Sequence, residues 1–407
     1  MIIKADIEKM RSTASSMNAV MRKLWLTGAD LNTQAEMNKF WEEQGLPIKD
    51  HIINVKDRID NCNDSIRSLM EAMEQIMQEY DETEKARINQ FLDRDREMYE
   101  KQQMYCADRV SASKEEKQKY IDFYEKNHPK DAEKLENFLH TGDSDNLSEE
   151  DIMNIKYLAY TAPAPFAYIY LNSMGNYSIG NTKEAKGAYY SPSSNTVNYS
   201  YPNSFQKDPR GPYTTFFHET GHGIDFTANL TNKKGADTNN FTIYSDKLHR
   251  KVTLHEAIEY DVYYNKDNPH SISSIAEEVK AGGGSGKNGD VNNVIRAMKQ
   301  GSNKGLSKED KKLYNAVKNK FNSSTPNGEA YEAVSDVYGG MSGNELRNGY
   351  GHEKSYWTDP NNPGEELWAE YFSYNMAGDS ENLNNLNDYF PEASKVLEGY
   401  AYSLAGG

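Results

Sequence analysis

The chain has 407 residues, of which 37% are hydrophobic and 27% charged, and this length predicts two domains of unequal size. Its formal net charge of -16 argues against nucleic acid as a partner, since nucleic-acid binders collect Lys and Arg on one face. No run of about 18 apolar residues is present, so we expect no transmembrane segment. The only cysteines, Cys62 and Cys106, are too few for a disulfide framework. The first residues, MIIKADIEKMRSTASS, lack the apolar segment of a secretory signal peptide, so we expect no classical export.

Apolar residues repeat at alternating spacings of three and four along two N-terminal stretches, a pattern typical of helices with one apolar stripe. Neither stripe has another large apolar face to cover it, so we expect the two helices to pack as an antiparallel hairpin within residues 1–110. The turn is predicted at Gly28, with residues 45–47 as the alternative. The first stripe contains Ile7, Met10, Ala14, Met17, Met21 and Leu24, and the second contains Val55, Ile59, Cys62, Ile66, Leu69, Met73, Ile76 and Tyr80.

The composition changes twice after this hairpin. Residues 111–156 are highly charged and helix-prone, and we interpret them as a helical connector. From Tyr157 onward, aromatic and β-branched residues stand among Gly, Asn, Ser and Pro, and residues 188–190 and 196–199 predict a β-hairpin. We therefore assign residues 157–407 to a mainly helical domain with a small β-sheet, and the whole chain to the α+β class.

Residues 218–222 read His-Glu-Thr-Gly-His. On a helix, His218 and His222 lie one turn apart on the same face, so both imidazoles can bind one zinc ion. Zinc lowers the pKa of a bound water, and the carboxylate of Glu219 lies where it can accept the proton of that water. The motif therefore predicts a catalytic site with one zinc ion per chain. The alternative is a chance match on an ordinary amphipathic helix.

The residues around this motif favour a buried helix. Gly221 leaves room for close approach of another backbone. Asp225 follows His222 by three positions, a spacing at which a carboxylate can support a histidine ring or cap nearby backbone, although a surface aspartate has the same spacing. The pair His255-Glu256 resembles the start of the motif, but no second histidine follows, so we reject it as the site.

A catalytic zinc site needs a third protein ligand and an open position. Residues 366–372 form a strongly apolar helical pattern that carries two carboxylates four positions apart, Glu366 and Glu370. Charges on such a helix require partners. We assign Glu366 as the third ligand and Glu370 as a residue that supports a ligand histidine, with Glu365 as the rival ligand. The alternative interpretation is that these glutamates lie in the solvated first turn of a helix, where the helix dipole favours negative charge.

Four segments of the chain, FFHETGHGID, GGMSGNELRNGYGHEKSYW, EELWAEYFS and YFPEASKVLEGY, resemble the lethal-factor-like zinc peptidases. These peptidases are zincins found in toxins and in phage-related and secreted bacterial proteins. The resemblance covers roughly the C-terminal 220 residues, counted from the predicted β-hairpin. It implies a zincin-like fold and an enzyme that hydrolyses peptide bonds. In such an enzyme Glu366 would be a zinc ligand, and Glu370 would lie behind this ligand, away from the metal. The long polar insertions between His222 and Glu366 depart from the compact family pattern, so substrate specificity is not carried over.

The same resemblance implies a tyrosine that stabilises the oxyanion shortly before the ligand glutamate. The equivalent position here is occupied by Asp359, so the chain departs from the family pattern. We assign the role to Tyr356, three positions earlier, with His352 as the alternative oxyanion residue. The alternative for either side chain is that it only packs against its neighbours and has no catalytic role.

The N-terminal hairpin resembles the Trp-x-Gly family of type VII secretion substrates. Trp25 and Gly28 stand near the predicted turn, one residue further apart than in the usual motif, and the segment from Tyr80 to Glu84 matches the tyrosine-to-acid export signature. The resemblance implies secretion without a cleavable signal peptide and a small helical secretion partner. Tyr80 also continues the apolar stripe, so the alternative to an export signature is that Tyr80 is an aromatic residue of the hairpin core.

Together these features predict a secreted zinc metallopeptidase effector that acts on a protein or peptide substrate. An immunity protein is a further candidate partner. Two alternatives remain. The first is a phage-related processing metallopeptidase, which has no need of an export hairpin. The second is a non-enzymatic helical interaction protein in which zinc stabilises the fold, and a structural zinc site has no use for Glu219.

Overall fold

The computed structural model describes residues 112–140, 147–182, 187–201, 203–228, 241–284, 286–324, 332–347, 349 and 351–406, together with residues 53–73 and isolated positions between 13 and 82. Contacts between residues divide the chain into two compact units, Met1–Arg87 and Ile88–Gly407. Among the helices of these described ranges, none is long and apolar enough to cross a membrane.

The N-terminal unit contains a helix over residues 53–73. Met73 of the predicted apolar stripe is buried, but Val55 and Leu69 of the same stripe are 45% and 53% exposed, and Met70, which lies outside the stripe, is buried. The predicted stripe is therefore wrong at Leu69, and the buried position lies one residue further along the helix. The predicted first helix is described only at isolated positions, and the predicted turn and export residues lie outside the described residues: Trp25, Gly28, Tyr80 and Glu84.

The C-terminal unit is mainly helical with two small sheets, in agreement with the predicted α+β class. Its helices are α1 Lys114–Asn127, α2 Pro129–Leu139, α3 Glu149–Thr161, α4 Ala164–Ser173, α5 Thr214–Ala228, α6 Leu254–Glu259 with a π-helical turn at Tyr260–Tyr264, α7 Ile272–Ala281, α8 Val291–Lys299, α9 Lys308–Ser324, α10 Glu332–Ser342, a 3-10 turn at Tyr356–Thr358, α11 Asn362–Ala377, α12 Ser380–Tyr389 and α13 Pro391–Gly406. Its strands are β1 Ser178–Asn181, β2 Tyr189–Ser191, β3 Thr196–Tyr199, β4 Thr242–Ser245 and β5 Arg250–Thr253.

The segment interpreted as a charged connector contributes to the core of this unit. Helix α1 begins at a capping box in which Ser113 and Glu116 bind each other's backbone N–H groups. Leu135 and Leu139 of α2 are fully buried, as is Ile155 of α3, and all three belong to the main hydrophobic cluster. Helices α1 to α3 therefore pack as part of the folded unit.

The three-stranded sheet has the order β1-β3-β2. Strands β2 and β3 are antiparallel, with Tyr190 opposite Val197, which confirms the predicted β-hairpin. Strand β1 runs parallel to β3, an arrangement that the sequence pattern did not indicate. Strand β2 consequently forms one edge of this sheet. Gly223 of α5 lies against the hairpin, since a Cβ there would meet both Tyr190 and Val197 at 3.3 Å.

Helices α5 and α11 cross at close range through Gly221. A Cβ on Gly221 would lie 3.0 Å from the Cα of Ala369, so glycine allows the two backbones to approach. The buried Trp368 strengthens the crossing by donating its indole N–H to the carbonyl oxygen of Gly221 at 3.0 Å. This contact brings the histidine motif of α5 alongside the glutamates of α11.

Candidate metal centre

Three side chains from α5 and α11 converge at one point. The Nε2 atoms of His218 and His222 lie 3.2 Å apart, and they lie 3.3 Å and 3.5 Å from Oε2 of Glu366. His218 and Glu366 are 5% and 3% exposed. Three ligand atoms at this mutual spacing can hold one metal ion. Burial of these three polar groups carries a desolvation cost, which a bound cation would offset.

The charges of these groups are strongly coupled. Burial would raise the pKa of Glu366, but the adjacent imidazoles outweigh it and hold the pKa of this carboxyl well below its usual value. Burial conversely lowers the pKa of His218, but Glu370 and Glu366 outweigh it and the net pKa is raised. The carboxylates therefore favour a positive charge at this point. A metal cation bound by neutral imidazoles would supply that charge.

A second carboxylate supports the first histidine from behind. Oε1 of Glu370 lies 3.3 Å from Nδ1 of His218, the ring nitrogen that faces away from the convergence point. A guanidinium N–H group of Arg210 donates a hydrogen bond to the same carboxylate oxygen. Burial would raise the pKa of Glu370, but Arg210 and His218 outweigh it and lower the pKa to about 2. An ionised Glu370 would orient His218 for binding through Nε2.

Glu219 lies beside the three converging side chains and lines the same cavity. It is 9% exposed. No hydrogen bond or ion pair joins its carboxylate to another residue in the described part of the chain. Its position one residue after His218 on α5 leaves the carboxylate free to accept a proton from a water molecule at the site.

The cavity has a volume of about 940 Å³. Its lining includes residues of strand β2 and of the segment just before it, together with His352, Tyr356 and the start of α11. Tyr189 of β2 is 49% exposed. The candidate metal site therefore lies in a cleft that an edge strand borders, and this cleft is large enough for a peptide segment.

The two candidate oxyanion residues stand together at this cleft. Tyr356 donates its hydroxyl to Oε1 of Glu366 at 2.5 Å, and burial followed by the charge of Glu366 raises the pKa of this phenol. The ring of His352 stacks on that of Tyr356, with centroids 3.9 Å apart. Nδ1 of His352 lies 2.6 Å from Oδ2 of Asp336, and Nε2 lies 3.9 Å from Oε1 of Glu366.

The remaining predicted site residues lie nearby with other partners. Asp225 is buried on α5 and accepts the hydroxyl of Tyr400 at 2.7 Å. Glu365, the rival ligand, lines the cavity, but it does not belong to the group of three that converges on one metal position. Among the described residues, His218, His222 and Glu366 form that group, as the motifs predict.

Two residues of this site were missed by the motif analysis. Asp336 lies on α10 between the apolar residues Val334 and Val337, and a carboxylate among such neighbours indicates a buried partner. Arg210 precedes α5 in a polar loop and carries no recognisable pattern. Its partner Glu370 is 160 positions away, so only the folded chain brings the pair together.

Comparisons of the chain with models of protein families, with curated proteins and with solved structures find no match. The functional interpretation therefore depends on the geometry of the site and on the chemistry of its residues.

Proposed function

We propose that this protein is a zinc-dependent metallopeptidase. The observation that carries the proposal is the convergence of His218, His222 and Glu366 in an open cleft beside Glu219, whose carboxylate has no partner among the described residues. Two imidazoles and one carboxylate are a common ligand set of catalytic zinc, and they leave a coordination position for water. A structural site instead surrounds its metal with four protein ligands.

Zinc at this position would polarise the scissile carbonyl and make a water molecule acidic. The carboxylate of Glu219 would accept a proton from this water while the water oxygen attacks the carbonyl carbon. Glu219 would then return that proton to the departing amine. Glu370 and Arg210 hold His218 in the orientation that binding requires. Tyr356 and His352 line the same cleft, and either side chain would be a hydrogen-bond donor for the carbonyl oxygen of the substrate.

The shape of the cleft favours an extended peptide as the substrate. Strand β2 has β3 on one side only, and no other described strand pairs with its outer edge. An extended chain can add to such an edge through main-chain hydrogen bonds. This arrangement would bind many sequences, with selectivity supplied by side-chain contacts along the cleft.

The proposal is tested by metal analysis and peptide cleavage on purified protein. We expect one zinc ion per chain and cleavage of unfolded protein substrates, with His218→Ala losing both zinc and activity. Glu219→Gln should retain zinc and lose activity. His255→Ala, in the incomplete copy of the motif, is the matched control and should retain both. Zinc binding with unchanged cleavage in Glu219→Gln would contradict the assigned mechanism, and zinc binding without any cleavage by the wild type would favour a structural zinc.

We propose that the N-terminal unit directs export of the chain as a secreted effector and that this unit binds a small helical partner. Three apolar side chains support this role: Val55 and Leu69 of the described helix and Ile76 just beyond it are about half exposed, and they are spaced by seven or fourteen residues. Such a stripe would be covered by another helix. Tyr80→Ala combined with Glu84→Ala should block secretion while the purified variant cleaves peptides at the wild-type rate. Normal secretion of this variant would contradict the export role.

A further inference from the structure

Asp336 and His352 form a tightly connected pair at the edge of the cleft. The carboxylate of Asp336 accepts two hydrogen bonds from His352, one from the backbone N–H at 2.6 Å and one from Nδ1 at 2.6 Å. Asp336 is only 7% exposed, whereas the side chain of His352 is 38% exposed and lines the cleft. A buried carboxylate thus holds a partly exposed imidazole through its inner nitrogen.

Two aromatic side chains also contact the ring of His352. Tyr356 stacks against one face with an interplanar angle of 17°, and Trp357 meets the ring edge-on with centroids 5.5 Å apart. The preceding residue is Gly351, where a Cβ would lie 2.7 Å from Oδ1 of Asp336, so the close contact requires glycine. His352 is therefore held in one orientation, which catalysis requires of a side chain that acts on a reacting atom.

The same residues, taken with Glu366, are also close enough to hold a second metal ion. The hydrogen bonds argue against that arrangement. Both oxygens of Asp336 are engaged by His352, so the remaining ligand atoms on the cleft side are Nε2 of His352 and Oε1 of Glu366, which already accepts the hydroxyl of Tyr356. A carboxylate bound to Nδ1 is instead the arrangement that orients a catalytic imidazole.

We propose that His352 is the catalytic residue that donates a hydrogen bond from Nε2 to the carbonyl oxygen of the substrate, and that Asp336 is its positioning residue. This assignment rests on the proposed peptidase function and decides between its two candidate oxyanion residues. Tyr356 then has two supporting roles, since its hydroxyl binds Glu366 and its ring packs against His352. Asp336 balances the charge of the imidazolium ring in the transition state.

The bonds in this reaction balance without any further reactant. The water oxygen bonds to the carbonyl carbon, its proton passes to Glu219, and the electron pair of the C=O π bond moves to the carbonyl oxygen, which accepts the hydrogen bond from His352. The carbonyl then re-forms, the C–N bond breaks with its electron pair on nitrogen, and Glu219 returns the proton to the amine. His352 ends the cycle with the proton it held at the start.

The test compares His352→Gln and Asp336→Asn with the wild type in the full-length zinc-loaded protein. Steady-state kinetics use a fluorogenic peptide that the wild type cleaves, and zinc content and thermal unfolding are measured on each preparation. We expect kcat to fall on the order of 10² to 10³ in His352→Gln, with little change in KM and one zinc ion retained. Asp336→Asn should lower kcat in the same way, and the double variant should be no slower than His352→Gln, because the two residues act as one unit.

A matched control exists elsewhere in the unit. His270 lies 2.9 Å from Asp388 and stacks on Tyr389 with centroids 3.7 Å apart and an interplanar angle of 17°. The variants His270→Gln and Asp388→Asn remove a histidine–aspartate pair of similar geometry away from the cleft, and they should leave kcat unchanged.

Three outcomes would overturn the inference. An unchanged kcat in His352→Gln, with the wild type active, would remove His352 from catalysis and leave the peptidase proposal intact. Two zinc ions in the wild type, of which His352→Gln loses one, would make the pair a second metal site. A zinc-loaded wild type that cleaves no peptide would reject the proposed function and this inference together. Should His352→Gln unfold, Asp336→Asn, which keeps the shape of the side chain, gives the same comparison.

Discussion

Gly221 of α5 lies so close to Ala369 of α11 that a Cβ on Gly221 would lie 3.0 Å from the Cα of Ala369. Gly221→Ala should therefore separate α5 from α11, and overpacking of this kind costs about 1–3 kcal/mol. We expect a lower free energy of unfolding and weaker zinc binding, measured by urea denaturation and by competition with a chelator. Gly282→Ala, where the nearest atom would be 3.5 Å away, is the control and should change neither. Unchanged zinc affinity in Gly221→Ala would show that the helix spacing tolerates the extra methyl group.

The hydroxyl of Tyr356 binds the proposed ligand Glu366 at 2.5 Å. Tyr356→Phe removes this hydrogen bond and keeps the ring that packs against His352, so we expect zinc affinity to fall by about 10-fold while the zinc-saturated variant retains most of its kcat. Kinetics at increasing zinc concentration separate the two effects. A large loss of kcat at saturating zinc, with unchanged KM, would instead assign the oxyanion to Tyr356.

Glu366 and Glu370 occupy different positions relative to the metal site, although both lie on α11. Glu366→Ala removes a ligand and should reduce zinc binding more than Glu370→Ala, whose loss of support for His218 is expected to cost about 10- to 100-fold in affinity or activity. Zinc dissociation constants from chelator competition decide the order. The reverse order would transfer the ligand assignment to Glu370.

The ion pair between Arg210 and Glu370 is largely buried, with side chains 13% and 5% exposed. Arg210→Met would leave the Glu370 carboxylate buried without its cation, a change that typically costs about 3–5 kcal/mol. Combining it with Glu370→Gln should recover part of this loss, because the charge is then absent. A double-mutant cycle of urea unfolding measures the coupling, and additive effects would contradict the predicted pairing.

Asp261 is fully buried and accepts hydrogen bonds from the backbone N–H groups of Glu392 and Ala393 at the start of α13. Burial raises the pKa of its carboxyl to about 7, against the opposing effect of these donors. An unfolded aspartate ionises near pH 3.9, so between about pH 4 and pH 7 the folded chain holds a proton that the unfolded chain releases. This group should therefore lower the free energy of unfolding as pH rises through that window, by up to about 4 kcal/mol.

The contribution of Asp261 is isolated by comparison with Asp261→Asn, which cannot ionise. The difference in unfolding free energy between wild type and variant, measured in urea at pH 5 and pH 7.5, should shift in favour of the variant at the higher pH. A difference that does not change with pH would show that Asp261 is ionised across the whole range.

Local patterns in the sequence determined the parts of this protein whose geometry depends on neighbouring residues. The spacing of His218 and His222 places both rings on one side of α5 in any helical context, and the same periodicity places Glu366 and Glu370 on one side of α11. The β-hairpin of β2 and β3 was predictable for a similar reason, since its strands are joined by a short turn.

The tertiary structure alone decided which distant residues complete the site. Asp336 lies 16 positions from His352, and Arg210 lies 160 positions from Glu370, so no helical or strand periodicity relates either pair. Each pair joins a helical residue, Asp336 or Glu370, to a residue in a loop, so it depends on how that loop packs on the helix, which side-chain volume over the whole core decides. Helices α1 to α3 also pack in the core despite their charged sequence. A few buried positions such as Leu135 decide the packing of a helix whose other faces are polar.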